Sequence, residues 1–190
     1  MLFSFQELID LVVMTAFIGF IFKDVFRKHI NVDMLNPYNY YSSMNLENFK
    51  FAVLVTAPAI ILHEMSHKFV AIAMGLSATF HAAYTWLGIG LLLKMMNFGF
   101  IFFIPGYVSY PAAGTALQHA LISFAGPGMN LFIWLLTSFA IRQRLIPRKY
   151  LEAALLTKRI NMFLFIFNMI PISPFDGGHF FSNIFRVLFG

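Results

Sequence analysis

From Phe51 to about Gly75 the chain is apolar over the length a helix needs to cross a bilayer, yet the second half of this run holds His63, Glu64, His67 and Lys68. Such a run folds as a helix, because without water every backbone amide needs an internal partner. Ionisable side chains inside it are costly and point to function. The whole chain has the same bias. Apolar residues make up 59% and charged ones 11%, against roughly 45–50% and about 25% in soluble domains. A body of 190 residues with 25 Phe and 13 basic and 8 acidic side chains cannot cover its surface with polar groups. A soluble enzyme, a disordered tail and a nucleic-acid-binding module are therefore excluded. The expected fold is an α-helical integral membrane protein, a polytopic bundle of about four to six membrane segments.

The first apolar run, Leu8 to Phe22, is interrupted by Asp10 and followed by Lys23, Asp24, Arg27 and Lys28. It lacks a basic leader and a small-residue cleavage site, so it reads as a retained membrane helix. Residues 31–50 are polar and contain Pro37, which suggests a loop. Further spans are expected over Thr115–Ala140 and Ala153–Pro171, while Gly178–Gly190 is too short to cross. Residues 86–106 hold Lys94 and Asn97 between two short apolar runs, Leu87–Leu93 and Phe98–Ile104. They suggest a membrane-associated hairpin or re-entrant element. The whole of 1–190 reads as one membrane-embedded domain, with 1–50 supplying the first span and loop and 51–182 the catalytic core.

The net charge of +5 and isoelectric point near 9.6 do not form a nucleic-acid-binding stripe. Four basic residues lie at Lys23, Arg27, Lys28 and Lys50, and six more between Arg142 and Arg159. If the first span crosses once, both groups share one side, which the positive-inside rule makes cytoplasmic.

His63-Glu64-Met65-Ser66-His67 is an HExxH motif. Helical i, i+4 spacing puts both imidazoles on one face, able to bind one zinc ion, with Glu64 beside the metal to act on water. The chain has no Cys, so a third protein ligand must be His or carboxylate. The best candidate is Asp176, which follows Asn168-Met-Ile-Pro171-Ile-Ser-Pro174-Phe and precedes Gly177-Gly178. Two prolines there prevent a regular helix. A third element, Gly126-Pro127-Gly128-Met-Asn130, places a close-packing surface and a polar amide at membrane depth. Two satisfied histidines in a bundle, a solvated Asp at a span end and ordinary helix packing are the bland alternatives. Each loses force when all three elements occur together.

In that order, HExxH at 63–67, Gly-Pro-x-x-Asn ending at Asn130 and Asn-x-x-Pro with Asp-Gly at 168–177 resemble the site-2 protease family of intramembrane zinc metalloproteases. The match covers roughly residues 58–182. The resemblance implies one Zn²⁺ per chain held by His63, His67 and Asp176, with Glu64 as catalytic base. It also implies that Asn168 holds the substrate carbonyl or stabilises its oxyanion. The substrate implied is a transmembrane segment of another protein, cut within or near the lipid bilayer of the cell membrane, with no nucleic acid involved. No inserted PDZ-type domain or CBS pair is seen, so the chain is similar to compact archaeal or bacterial members. Familiar members place the site nearer the cytosol, opposite to the side the Lys and Arg bias favours, and the orientation stays open.

A substrate helix must unwind before its carbonyls can react, and an extended segment could add to a sheet edge. Phe98–Ile104, with Phe98 and Ile101, is the candidate edge. His179 follows the Asp-Gly-Gly turn closely enough to support the site. The alternative function is a membrane metal-ion transporter or metal-binding protein, with His29, His81, His119 and His179 as relay ligands, although their spacing is unpatterned. A serine protease reading from Gly75-Leu76-Ser77-Ala78, which loosely resembles the rhomboid motif, is weak beside an HExxH.

Overall fold

The computed structural model describes residues 2–26, 37–97 and 104–190, and for residues 37–45 the helical backbone alone. It is a helical bundle with one small sheet. Helix α1 (Phe5–Phe22) opens on a capping box in which Ser4 Oγ accepts from the Glu7 amide and the Glu7 carboxylate accepts from the Ser4 amide. Helix α2 (Pro37–Ala73) carries the HExxH. Strand β1 (Thr79–Ala82), helix α3 (Tyr84–Met95) and strand β2 (Gly106–Ser109) follow. Helix α4 (Ala116–Arg142) begins on a second capping box, Thr115 with Gln118. A 3₁₀ turn (Arg148–Tyr150), helix α5 (Leu151–Asn168) and helix α6 (Asp176–Phe189) complete the order.

α4 packs against α2, α5 and α6, and α1 lies along α2 and β1. Met14 and Ile18 of α1, Ile60 and Met65 of α2, Phe80 and Ala82 of β1 and Leu87 of α3 form one buried cluster. Outward faces stay apolar, with Phe5, Val12, Leu54, Phe132 and Leu135 all exposed. That is the surface expected of a helical membrane protein. Among the described residues three helices are long and apolar enough to cross a membrane, Phe5–Phe22, Leu46–Ala73 and Ala116–Arg142. α5 is 18 residues long but carries Glu152, Lys158 and Arg159, while α3 and α6 have 12 and 14 residues and are short of a span.

One expectation needs correction. Residues from Pro37 onward are helix and not loop, since proline is well tolerated at the first helical position, where its missing amide costs nothing. Of the hairpin or re-entrant element expected at 86–106, the second run lies mostly outside the described residues. Leu87–Leu93 lies inside α3, and β2 pairs antiparallel with β1, Thr79 opposite Ser109 and His81 opposite Tyr107. Phe98 and Ile101 lie outside the described residues.

Candidate metal centre

His63 and His67 sit one turn apart on the buried stretch of α2, both under 8% exposed. Their remaining ring nitrogens are already committed. The Nδ1 of His63 is 2.6 Å from Asn130 Oδ1 on α4. That amide is oriented by its own donors, which reach Ala59 O at 3.1 Å and Asn161 Oδ1 at 2.9 Å. His67 Nδ1 is 2.7 Å from the backbone carbonyl of Ile122. In each case the acceptor fixes the proton on Nδ1 and leaves the Nε2 lone pair free for a ligand.

Asp176 arrives from the start of α6. α5 ends at Asn168, the chain turns through Pro171 and Pro174, and α6 opens directly on Asp176. The two glycines after it allow this close return. A Cβ on Gly177 would lie 2.5 Å from the Met169 backbone, and one on Gly178 would lie 2.6 Å from that of Ile172. Asp176 Oδ2 therefore comes to 3.1 Å from His63 Nε2 and 3.3 Å from His67 Nε2, while the two Nε2 atoms are 3.1 Å apart. Donors bound at about 2.0–2.1 Å to one tetrahedral zinc stand about 3.3 Å from each other. The triangle of donors thus has the size a zinc ion requires. Among the described residues these three side chains form the group able to hold a metal.

Gly126 closes the centre from α4. A Cβ there would lie 2.2 Å from His67 Nε2 and 2.6 Å from His63 Nε2. Pro127, also buried, cannot donate to the Ser123 carbonyl, so the helical ladder is interrupted on the turn after Ile122. A cavity of about 620 Å³ opens beside the centre, and Glu64, Asn168, His179 and Tyr110 all line it together with the three donors. Burial, with the nearby Asp176 carboxylate adding to it, pushes the Tyr110 phenol above its ordinary value against an opposing hydrogen bond with Ser123. Gly106 and Val108 of β2 form part of the same wall.

The residues singled out for the protease reading are therefore brought together at one cavity, apart from Phe98 and Ile101, which like His29 lie outside the described residues, Asn130, which stands behind His63, and Gly126, which packs against the two Nε2 atoms with Pro127 next to it in α4. His81 instead bonds Ser109 and His119 the Ala112 carbonyl, away from the donor group. Asn161, Tyr110 and the carboxylates of Glu7 and Asp10 were not anticipated. Asn161 had one visible signal, an amide near the start of the run 160–167, which is otherwise apolar.

No family model and no solved structure matches the chain. A protein of Methanocaldococcus jannaschii named "Putative zinc metalloprotease MJ0611" is 31% identical over 180 residues, covering 92% of this chain and 83% of that protein. A Synechocystis protein named "Putative zinc metalloprotease sll0528" is 26% identical over 131 residues, 69% of this chain but only 30% of that longer protein. At 31% identity across nearly its full length, and with a donor triangle of zinc dimensions, the chain belongs to the zinc metalloprotease family of the Methanocaldococcus protein.

Proposed function

We propose that this protein is an intramembrane zinc metalloprotease of the site-2 protease type, in the cell membrane, hydrolysing peptide bonds within or near transmembrane segments of other proteins. The observation that carries the reading is the triangle of His63, His67 and Asp176 donors with sides of 3.1–3.3 Å, its two histidines on a helix of spanning length, beside a cavity that also holds Glu64. Zinc held there supplies Lewis acidity toward water and a peptide carbonyl. Glu64 accepts the proton that water gives up as it attacks, then delivers it to the leaving amine. The Asn168 side-chain amide, on the cavity wall, donates to the carbonyl oxygen as charge develops on it, where one donor is worth about 3–4 kcal/mol. His63 and His67 keep their protons on Nδ1 throughout, tied to Asn130 and Ile122.

The substrate enters extended. Antiparallel pairing leaves alternate residues of each strand facing away from its partner. Thr79 and His81 face β2, and the Ala83 amide donates to the Pro105 carbonyl at 3.1 Å in continuation of that pattern. Gly106 and Val108 therefore turn their amides and carbonyls outward, on a strand that lines the cavity. An unwound segment of a substrate helix can add to this edge and bring a carbonyl to the metal centre.

The test is reconstitution of the purified full chain with a single-span membrane substrate, removal of zinc by a chelator and its return. Cleavage that disappears and is restored by zinc supports the reading, and cleavage indifferent to the chelator overturns it.

A further inference from the structure

The two carboxylates on the inner face of α1 do not reach the metal centre, yet both are almost fully buried, Glu7 at 3% and Asp10 at 2% exposure. Each accepts a backbone amide of β1. Glu7 Oε1 takes the Phe80 amide at 2.8 Å, and Asp10 Oδ2 takes the Ala82 amide at 3.0 Å. One helical turn separates the carboxylates, and two strand positions separate the amides, rises of about 4.5 Å and about 6.7 Å that flexible carboxylate arms can bridge. The pair stands where a third strand would pair with β1.

Other donors hold each carboxylate in place. Tyr84 Oη donates to Asp10 Oδ1 at 2.6 Å and Gln6 Nε2 to the same oxygen at 2.8 Å. The Ser4 amide donates to Glu7 Oε2 at 2.7 Å. Glu7 is also ion-paired with Lys68, the residue that follows His67 on α2. The outer edge of β2, unpaired among the described residues, is thus tied through β1 and α1 to the helix that carries the HExxH. A slip of β1 by one residue would turn Phe80, fully buried, to the opposite face of the sheet. A slip of β2 would move Gly106 from under the Phe80 ring, where a Cβ would be 2.7 Å from a ring carbon.

We propose that Glu7 and Asp10 are positioning residues for the substrate, holding the sheet in the single register that sets which peptide bond of an extended segment reaches Glu64. This inference rests on the protease reading above. They act through β1 and touch neither the metal donors nor the reacting atoms.

The experiment uses the full chain in bilayers with a single-span substrate, and reads KM, kcat, zinc content and the cut positions by mass spectrometry. Asp10→Ala is expected to raise KM about tenfold, with kcat within about threefold of wild type and zinc retained. New cuts displaced along the substrate should accompany this loss. Asp10→Asn is expected to restore most of the KM and the single cut, because one amide end still accepts from Ala82 and the other can donate to the Tyr84 oxygen. Tyr84→Phe leaves the carboxylate in place and is expected to give a smaller rise in KM with zinc intact, which keeps the test informative if Asp10→Ala fails to fold. An active wild type with unchanged KM and cut position in Asp10→Ala, or in Tyr84→Phe if Asp10→Ala does not fold, overturns the positioning role alone. So does an Asp10→Asn that fails as badly as Asp10→Ala. A zinc-loaded wild type that cuts no membrane substrate overturns the protease reading and this role with it.

Discussion

The Nδ1 of His63 lies 2.6 Å from the Oδ1 of Asn130, an amide 67 positions away on a different helix. The contact makes an α4 side chain responsible for the tautomer of an α2 histidine of the candidate metal centre. Supporting groups of this kind are worth about 10–100-fold in metal affinity. Asn130→Ala should therefore bind zinc about 10–100-fold more weakly in a competition titration. Asn161→Ala, which frees one end of the Asn130 amide, should weaken it less and in the same direction.

Gly126 leaves no room for a side chain. A methyl group there would lie 2.2 Å from His67 Nε2, closer than any tolerated contact and directed at a donor atom. Gly126→Ala should abolish stoichiometric zinc binding while the helical circular dichroism persists. Gly88→Ala is the matched control, since a Cβ at that position on α3 meets nothing within 4 Å and the change should leave zinc content unaltered.

Lys68 and Glu7 form an ion pair with side chains only 2% and 4% exposed. Removing one member of a buried pair leaves an uncompensated charge and typically costs about 3–5 kcal/mol. Lys68→Met should therefore unfold at markedly lower temperature in detergent. The double variant Glu7→Gln with Lys68→Met should recover much of that loss, because the charge is removed with its partner while Gln can still accept from Phe80.

The outward amide of Val108 is the donor a bound strand would use. Proline at 108 removes it without taking a hydrogen bond from the pairing with β1, a position edge strands tolerate. Val108→Pro should raise KM for a membrane substrate about tenfold with zinc content unchanged. Equal KM in the two proteins would remove the β2 edge from substrate binding.

Much of the centre was legible because its donors lie in short local patterns. HExxH needs only a helix to align its histidines, and Asp176 is marked by the prolines before it and the glycines after it, whose role is now visible as close backbone approach. The pairing of β1 with β2 was illegible because four-residue strands such as Thr79–Ala82 carry too little alternation to stand out, and the apolar run Leu87–Leu93 suits a helix equally well. The start of α2 was hidden by Pro37, which reads as a breaker unless it is known to occupy the first turn. The partners of Glu7 and Asp10 were illegible for a different reason. They are backbone amides 73 and 72 residues away, and nothing near a carboxylate in sequence announces such a contact.

The central claim is that Glu64 performs proton transfer at a zinc centre built by its neighbours. Glu64→Gln keeps the size and position of the side chain and removes its basicity, so zinc content and cleavage of a reconstituted single-span substrate should be measured together for this variant and the wild type. The assignment predicts full zinc occupancy with cleavage reduced by at least about a hundredfold. Cleavage equal to wild type at equal zinc content would contradict it.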